Sequence, residues 1–143
     1  MEDFFAKLAW RKDNGILRKE ELCRRCGEFM ARHHIDEKDF CISNDAVDVN
    51  GCITISQDDI IDNRLPFLFG KVTGDFDCSG LGLTSLLRCP KEVGGNFNCS
   101  NNKLKSLDKG PQIVGGDYIC LNNEFVIEGV PQKVGGKFEY KLK

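Results

Sequence analysis

The chain has only two histidines, His33 and His34, and neither belongs to a recognisable motif with a nucleophile. No Walker-type loop is present to cradle a nucleotide phosphate. Acidic residues are plentiful, yet no motif pairs them for acid–base work. These absences argue against an enzyme, so no catalytic residue and no cofactor are assigned. No apolar run is long enough to span a bilayer, which removes the membrane as a partner. The opening residues, Met1-Glu2-Asp3-Phe4-Phe5, lack the basic stretch and apolar core of a secretory signal. A cytoplasmic location is the expectation.

What the sequence does have is repetition. Val93-Gly94-Gly95-Asn96-Phe97-Asn98-Cys99 is followed by Val114-Gly115-Gly116-Asp117-Tyr118-Ile119-Cys120. Val72-Thr73-Gly74-Asp75-Phe76-Asp77-Cys78 precedes them, and Val134-Gly135-Gly136-Lys137-Phe138-Glu139-Tyr140 comes after. The valines step by 21, 21 and 20 residues. A fixed period in this range predicts a solenoid, in which each repeat buries its apolar face against its neighbours. Phe97 and Cys99 are two apart and point to one side of a strand. Leu104 and Leu107 follow, and Gly110-Pro111 turns the chain back. The Val-Gly-Gly glycines are read as tight backbone packing. A weaker copy over residues 51–60 puts Ile53 and Ile55 where Phe97 and Cys99 stand, making about five strands in one parallel sheet. Cys78, Cys99 and Cys120 hold one inward position, so they are read as buried free thiols suited to a reducing compartment.

The run Phe97-Asn98-Cys99-Ser100-Asn101-Asn102-Lys103-Leu104 resembles the leucine-rich repeat core, in which strand and turn read x-Leu-x-x-Asn-x-Leu. The asparagine amide in that pattern bonds backbone groups at a bend. Leu81 stands where Asn102 would be in the preceding repeat, so that copy lacks the amide. The short period and closing proline look like the compact leucine-rich repeats of bacterial effectors. The full wording resembles repeat proteins of bacteria and their phages.

Residues 1–38 read as a helical N-terminal cap and residues 39–143 as the leucine-rich-repeat-like solenoid, together an α+β architecture. Two helices are expected, meeting at Asp13-Asn14-Gly15, the second over about residues 17–33. Phe40-Cys41-Ile42 and Ala46-Val47-Asp48-Val49 look like a small hairpin. Arg18, Arg25 and Arg32 lie seven apart and form one stripe, read first as a solvated helix face and second as a contact for phosphate. Cys23-x-x-Cys26 with His33 and His34 invites a zinc reading. Both cysteines fall in one helix, however, and Cys26 suits the core, so no metal site is assigned. Residues 1–34 carry 8 basic and 6 acidic side chains, residues 35–77 carry 3 and 10, and residues 78–143 carry 9 and 6. The acidic middle would repel a nucleic-acid backbone laid along the array.

The expected function is therefore protein binding. In leucine-rich repeats the strand residues between core positions stand on the concave face. Here they form the columns Asp75, Asn96, Asp117, Lys137; Asp77, Asn98, Ile119, Glu139; and Ser79, Ser100, Leu121, Lys141. Ile119 and Leu121 would be apolar in a polar surround, as a binding hot spot requires, or would pack against the same chain or a second copy. Likeness to phage repeats implies a phage-encoded inhibitor of a host defence protein, acting in the host cytoplasm. The competing classes are a nucleic-acid binder using the arginine stripe and a self-assembling structural subunit. A homodimer edge is expected at the last strand, through Lys137, Phe138, Tyr140 and Leu142.

Overall fold

The structure is a computed structural model, and it describes residues 18–124 and 130–142. A helix, α1 (Lys19–Arg32), leads through a 3-10 turn at Glu37–Asp39 into a hairpin of β1 (Phe40–Ser43) and β2 (Ala46–Val49). The array follows: β3 (Ile53–Thr54), β4 (Phe69–Val72), β5 (Phe76–Asp77), β6 (Glu92–Val93), β7 (Phe97–Asn98) and β8 (Ile113–Val114). It ends with β9 (Tyr118–Asn123), β10 (Lys133–Val134) and β11 (Phe138–Leu142). The strands make two sheets. Sheet A runs β1-β2-β4-β6-β8-β10 and sheet B runs β11-β9-β7-β5-β3. Apart from the β1–β2 hairpin, the strand pairings in both sheets are parallel. The chain is a β-solenoid.

The five strands expected from the period are those of sheet B, with Ile53, Phe76, Phe97, Tyr118 and Phe138 in one register. The single sheet is corrected to two, because the Val-Gly-Gly segment is a corner between strands. Val93 lies in sheet A, Phe97 lies in sheet B, and Gly94 and Gly95 carry the chain between them. A Cβ on Gly94 would collide with the carbonyl oxygen of Thr73, and one on Gly115 with that of Gly94. Successive corners therefore stack backbone on backbone, an approach that only glycine permits. Beside them, Asp75 Oδ1 accepts the Asn96 N–H, Asn96 Oδ1 accepts the Asp117 N–H, and Asp117 Oδ1 accepts the Lys137 N–H, each at 2.8 Å.

The interior holds an aromatic column. Ring centroids lie 5.9 Å apart for Phe76–Phe97, 5.0 Å for Phe97–Tyr118 and 5.1 Å for Tyr118–Phe138. Edge-on and offset contacts at these separations add to the burial of each ring. Val72, Val93 and Val114 line the opposite wall in register, and Cys78, Cys99 and Cys120 are buried beside the rings. All eight cysteines are free thiols.

The second corner is built on paired asparagines. Asn101 and Asn122 adopt left-handed backbone at φ 58° and 56°, and Gly80 does so at the matching place. Asn102, next in the chain, is buried. Its Oδ1 accepts the N–H groups of Leu81 and Leu83, and its Nδ2 donates to the carbonyls of Cys78, Cys99 and Ser100. The amide thus satisfies backbone groups that the bend withdraws from both water and sheet.

Helix α1 covers the first turn. Leu22, Cys26, Phe29 and Met30 fall on its buried face, and Phe29 meets Phe67 and Phe69 edge-on at 5.3 and 5.8 Å. The first helix of the expected pair lies outside the described residues. The arginine stripe is solvated only in part, with Arg32 exposed. Arg25 is buried, donating to Glu21 and to the Pro66 carbonyl, and Arg32 bonds Asp59. Arg88 donates to the neighbouring Leu65 carbonyl from inside the array. The hairpin is as expected, closed by Asn44 and Asp45 at φ 52° and 67°, the two positive angles of a type I′ turn.

Candidate partner-binding surface

Side chains alternate along a strand, so the burial of Phe76, Phe97 and Tyr118 turns their neighbours outward. Asp77, Asn98, Ile119 and Glu139 are register partners and form one half-buried column on the outer face of sheet B. Asp77 Oδ1 accepts the N–H and the hydroxyl of Ser79, at 2.9 and 2.6 Å. Asn98 Oδ1 likewise accepts the Ser100 N–H at 3.0 Å. Both side chains are folded back onto their own strand ends. Ser100 is buried and its hydroxyl accepts the Leu121 N–H. Ile119 and Leu121 are half-buried rather than fully exposed, and they interrupt this polar row.

The expected sites therefore separate. Asp77, Asn98, Ile119, Leu121 and Glu139 belong to the outer face. Asp75, Asn96 and Asp117 belong to the corner between the sheets, where their bonds run lengthwise from repeat to repeat. These three side chains also tie one repeat to the next, and Asp75 and Asn96 remain exposed. Lys137 is the last recipient of that chain of bonds. Phe138 is partly buried against Tyr118. Tyr140 and Leu142 pair through their backbones with Cys120 and Asn123, and their side chains lie outside the described part.

Sheet A carries an outer column of its own: Lys71, Glu92, Ile113 and Lys133, in register. Lys71 and Glu92 form an ion pair at 3.0 Å, and Ile113 is 39 % exposed. This column was not legible from the residues alone, because β6, β8 and β10 are two residues long and show no alternation.

The most densely bonded polar group lies under the helix. Asp59 is fully buried; its Oδ1 receives the Arg32 guanidinium at 2.7 and 3.2 Å. Its Oδ2 contacts His33 Nε2 at 2.8 Å and accepts the Ser56 N–H and hydroxyl at 2.9 and 3.0 Å. Burial alone would raise this carboxyl, but the bonds from Ser56, Arg32 and His33 together hold it below the ordinary aspartate value. A serine–histidine–carboxylate relay places the histidine in the middle. Here the carboxylate is in the middle, so the Ser56 hydroxyl donates to it and is not activated. The group is a clamp between α1 and the array.

The thiols divide sharply. Cys23, Cys41 and Cys52 are exposed, whereas Cys26, Cys78, Cys89, Cys99 and Cys120 are buried. Burial pushes Cys26 up to about 11 and raises Cys89 and Cys99 well above the ordinary thiol value. Cys23 and Cys26 thus face opposite environments, and His33 is committed to Asp59. Among the described residues no three His, Cys, Asp or Glu side chains converge as metal ligands. Nor is any helix among them long and apolar enough to cross a membrane. Comparison of the chain with family models, characterised proteins and solved structures finds no match.

Proposed function

We propose that this protein is a non-enzymatic binding module, a short leucine-rich-repeat-like solenoid that engages another protein through the outer face of sheet B. The observation that carries the proposal is Ile119 with Leu121. They are two half-buried aliphatic side chains on one strand, bordered along the sheet by Asn98 and Glu139. Apolar anchors inside a polar border are how partner surfaces concentrate binding energy. The asparagine amides at the second corner support the kinship with leucine-rich repeats, since they serve the bend as that pattern requires. The short strands of sheet A are this chain's own variation. A helical hairpin capping the array, with α1 as its second member, belongs to the same proposal, as does action as a phage-encoded inhibitor of a host protein.

Nucleic-acid binding loses its main support, because Arg25 is buried and Arg32 is engaged with Asp59. The test is affinity capture from the native host with the wild-type chain and with an Ile119→Asp, Leu121→Asp double variant. The variant is expected to keep the wild-type circular dichroism spectrum and lose the partner. Full retention of the partner by a folded double variant would move the site elsewhere.

A further inference from the structure

Sheet A does not end where the core ends. Val47 and Val49 of β2 are buried, and their register partners in β1 are Ile42 and Phe40. Register partners share a face, so the apolar inner face of the sheet continues for one more strand. Phe40 is partly buried against the core, whereas Ile42 is 37 % exposed.

The backbone of β1 is open on its far side. The Asp39 carbonyl accepts the Asn50 N–H at 2.7 Å, so the odd-numbered residues of this strand face β2. In an antiparallel ladder the alternate residues then point their N–H and C=O groups away from the partner strand. Those residues are Phe40 and Ile42. Among the described residues no strand pairs with this edge, because β1 stands first in the order of sheet A. Three of the usual protections are absent from it: β1 holds no proline, no lysine and no bulge.

We infer that β1 accepts an extended, basic segment of a partner protein as an added strand. Backbone bonds to Phe40 and Ile42 would supply the pairing, and an apolar side chain over Ile42 would complete the inner face. Charge selects the occupant. Residues 36–48, the strand with its flanks and the facing part of β2, carry five carboxylates and a single cation, Lys38. A strand with alternating Lys or Arg answers that field. A second copy of this chain does not, because two antiparallel β1 strands would set the acidic flanks Glu37 or Asp39 of one against Asp45 of the other. This surface is separate from the outer face of sheet B, so either can fail without the other.

The test uses a short end-blocked peptide alternating lysine and valine, titrated to millimolar concentration into the 15N-labelled full chain. Shifts and slowed hydrogen exchange are expected at Phe40 and Ile42. Ile42→Pro removes the outward donor without touching the bonds to β2. It should weaken binding at least tenfold, and Ile42→Ser, which removes the apolar contact without adding charge, provides the comparison should the proline variant misfold. A peptide alternating glutamate and valine should bind at least tenfold more weakly. The Ile119→Asp, Leu121→Asp variant should bind the basic peptide as wild type does. The proposal is overturned by unperturbed Phe40 and Ile42 amides, by equal binding of the acidic peptide, or by a response centred on sheet B. Protection of these amides that grows with protein concentration alone would also overturn it, since a second copy would then occupy the edge.

Discussion

Asn102 and Asn123 donate to the same acceptor, the Cys99 carbonyl, at 3.0 and 3.1 Å. One reaches it from its own repeat and the other from the next, so a single backbone oxygen joins two turns of the solenoid. Each amide also presents its oxygen to backbone N–H groups of the turn before: Leu81 and Leu83 for Asn102, Leu104 for Asn123.

Asn102→Ala is expected to cost on the order of 3–5 kcal/mol, because it strands several buried backbone groups at once. Asn101→Ala is the control. That residue is exposed and its cost, about 1 kcal/mol, is mainly its left-handed backbone. Urea unfolding of the two variants checks the ordering, and equal losses would show that burial of the amide does not matter.

The clamp at Asp59 gives a pH dependence with a definite sign. The carboxyl is held below its ordinary value in the folded chain, so its contribution is present above the unfolded value of about 4 and is lost as pH falls through the folded one. Asp59→Asn should destabilise by about 2 kcal/mol at neutral pH, as the loss of charge-assisted hydrogen bonds implies. The gap between wild type and variant should then narrow below about pH 4. Parallel unfolding curves across that range would disprove the assignment.

The Tyr118 hydroxyl is buried and has no hydrogen-bond partner among the described residues. Such a group costs free energy that phenylalanine would not. Tyr118→Phe should therefore stabilise the chain by about 1 kcal/mol, raising Tm by about 4 °C for a domain of this size. Calorimetry decides the matter, and a lower Tm would mean that the hydroxyl is bonded in solution.

Thiol labelling should show two classes. Cys23, Cys41 and Cys52 should react within the mixing period, and the five buried thiols only as the chain opens. Mass spectrometry of a timed alkylation series would reveal intermediate classes if the core were loosely packed.

The aromatic column and sheet B were legible because two periods coincide in the sequence: alternation along a strand, and the 21-residue step between strands. Phe76, Phe97 and Tyr118 satisfy both. Beyond its hairpin, sheet A was not legible, since Glu92-Val93 and Ile113-Val114 are too short to display alternation, and the glycines after them fit packing alone. The bonding role of the corner column was hidden for a related reason. Asp75, Asn96 and Asp117 are polar and follow glycine, a pattern shared by contact residues and by residues whose side chains bond the next turn. The arginines fall on one face of α1, as their seven-residue spacing requires, but spacing carries no information about whether that face is wet or dry. Proximity of Asp59 to His33 depends on how the helix docks, and no local pattern encodes it.

The bonds that pass from Asp75 to Asn96 to Asp117 to Lys137 have a genetic consequence. The turn holding Asn96 and Asn102 offers the next an oxygen at one corner and binds backbone N–H groups of the turn before at the other, so this unit carries both halves of its joint. An in-frame duplication of 21 codons would insert a unit whose donors and acceptors already match those on either side. Loss of 21 codons would bring equally compatible neighbours together. The array can thus change its length by copying errors alone, without compensating substitutions, and can extend or shrink its outer face one strand at a time.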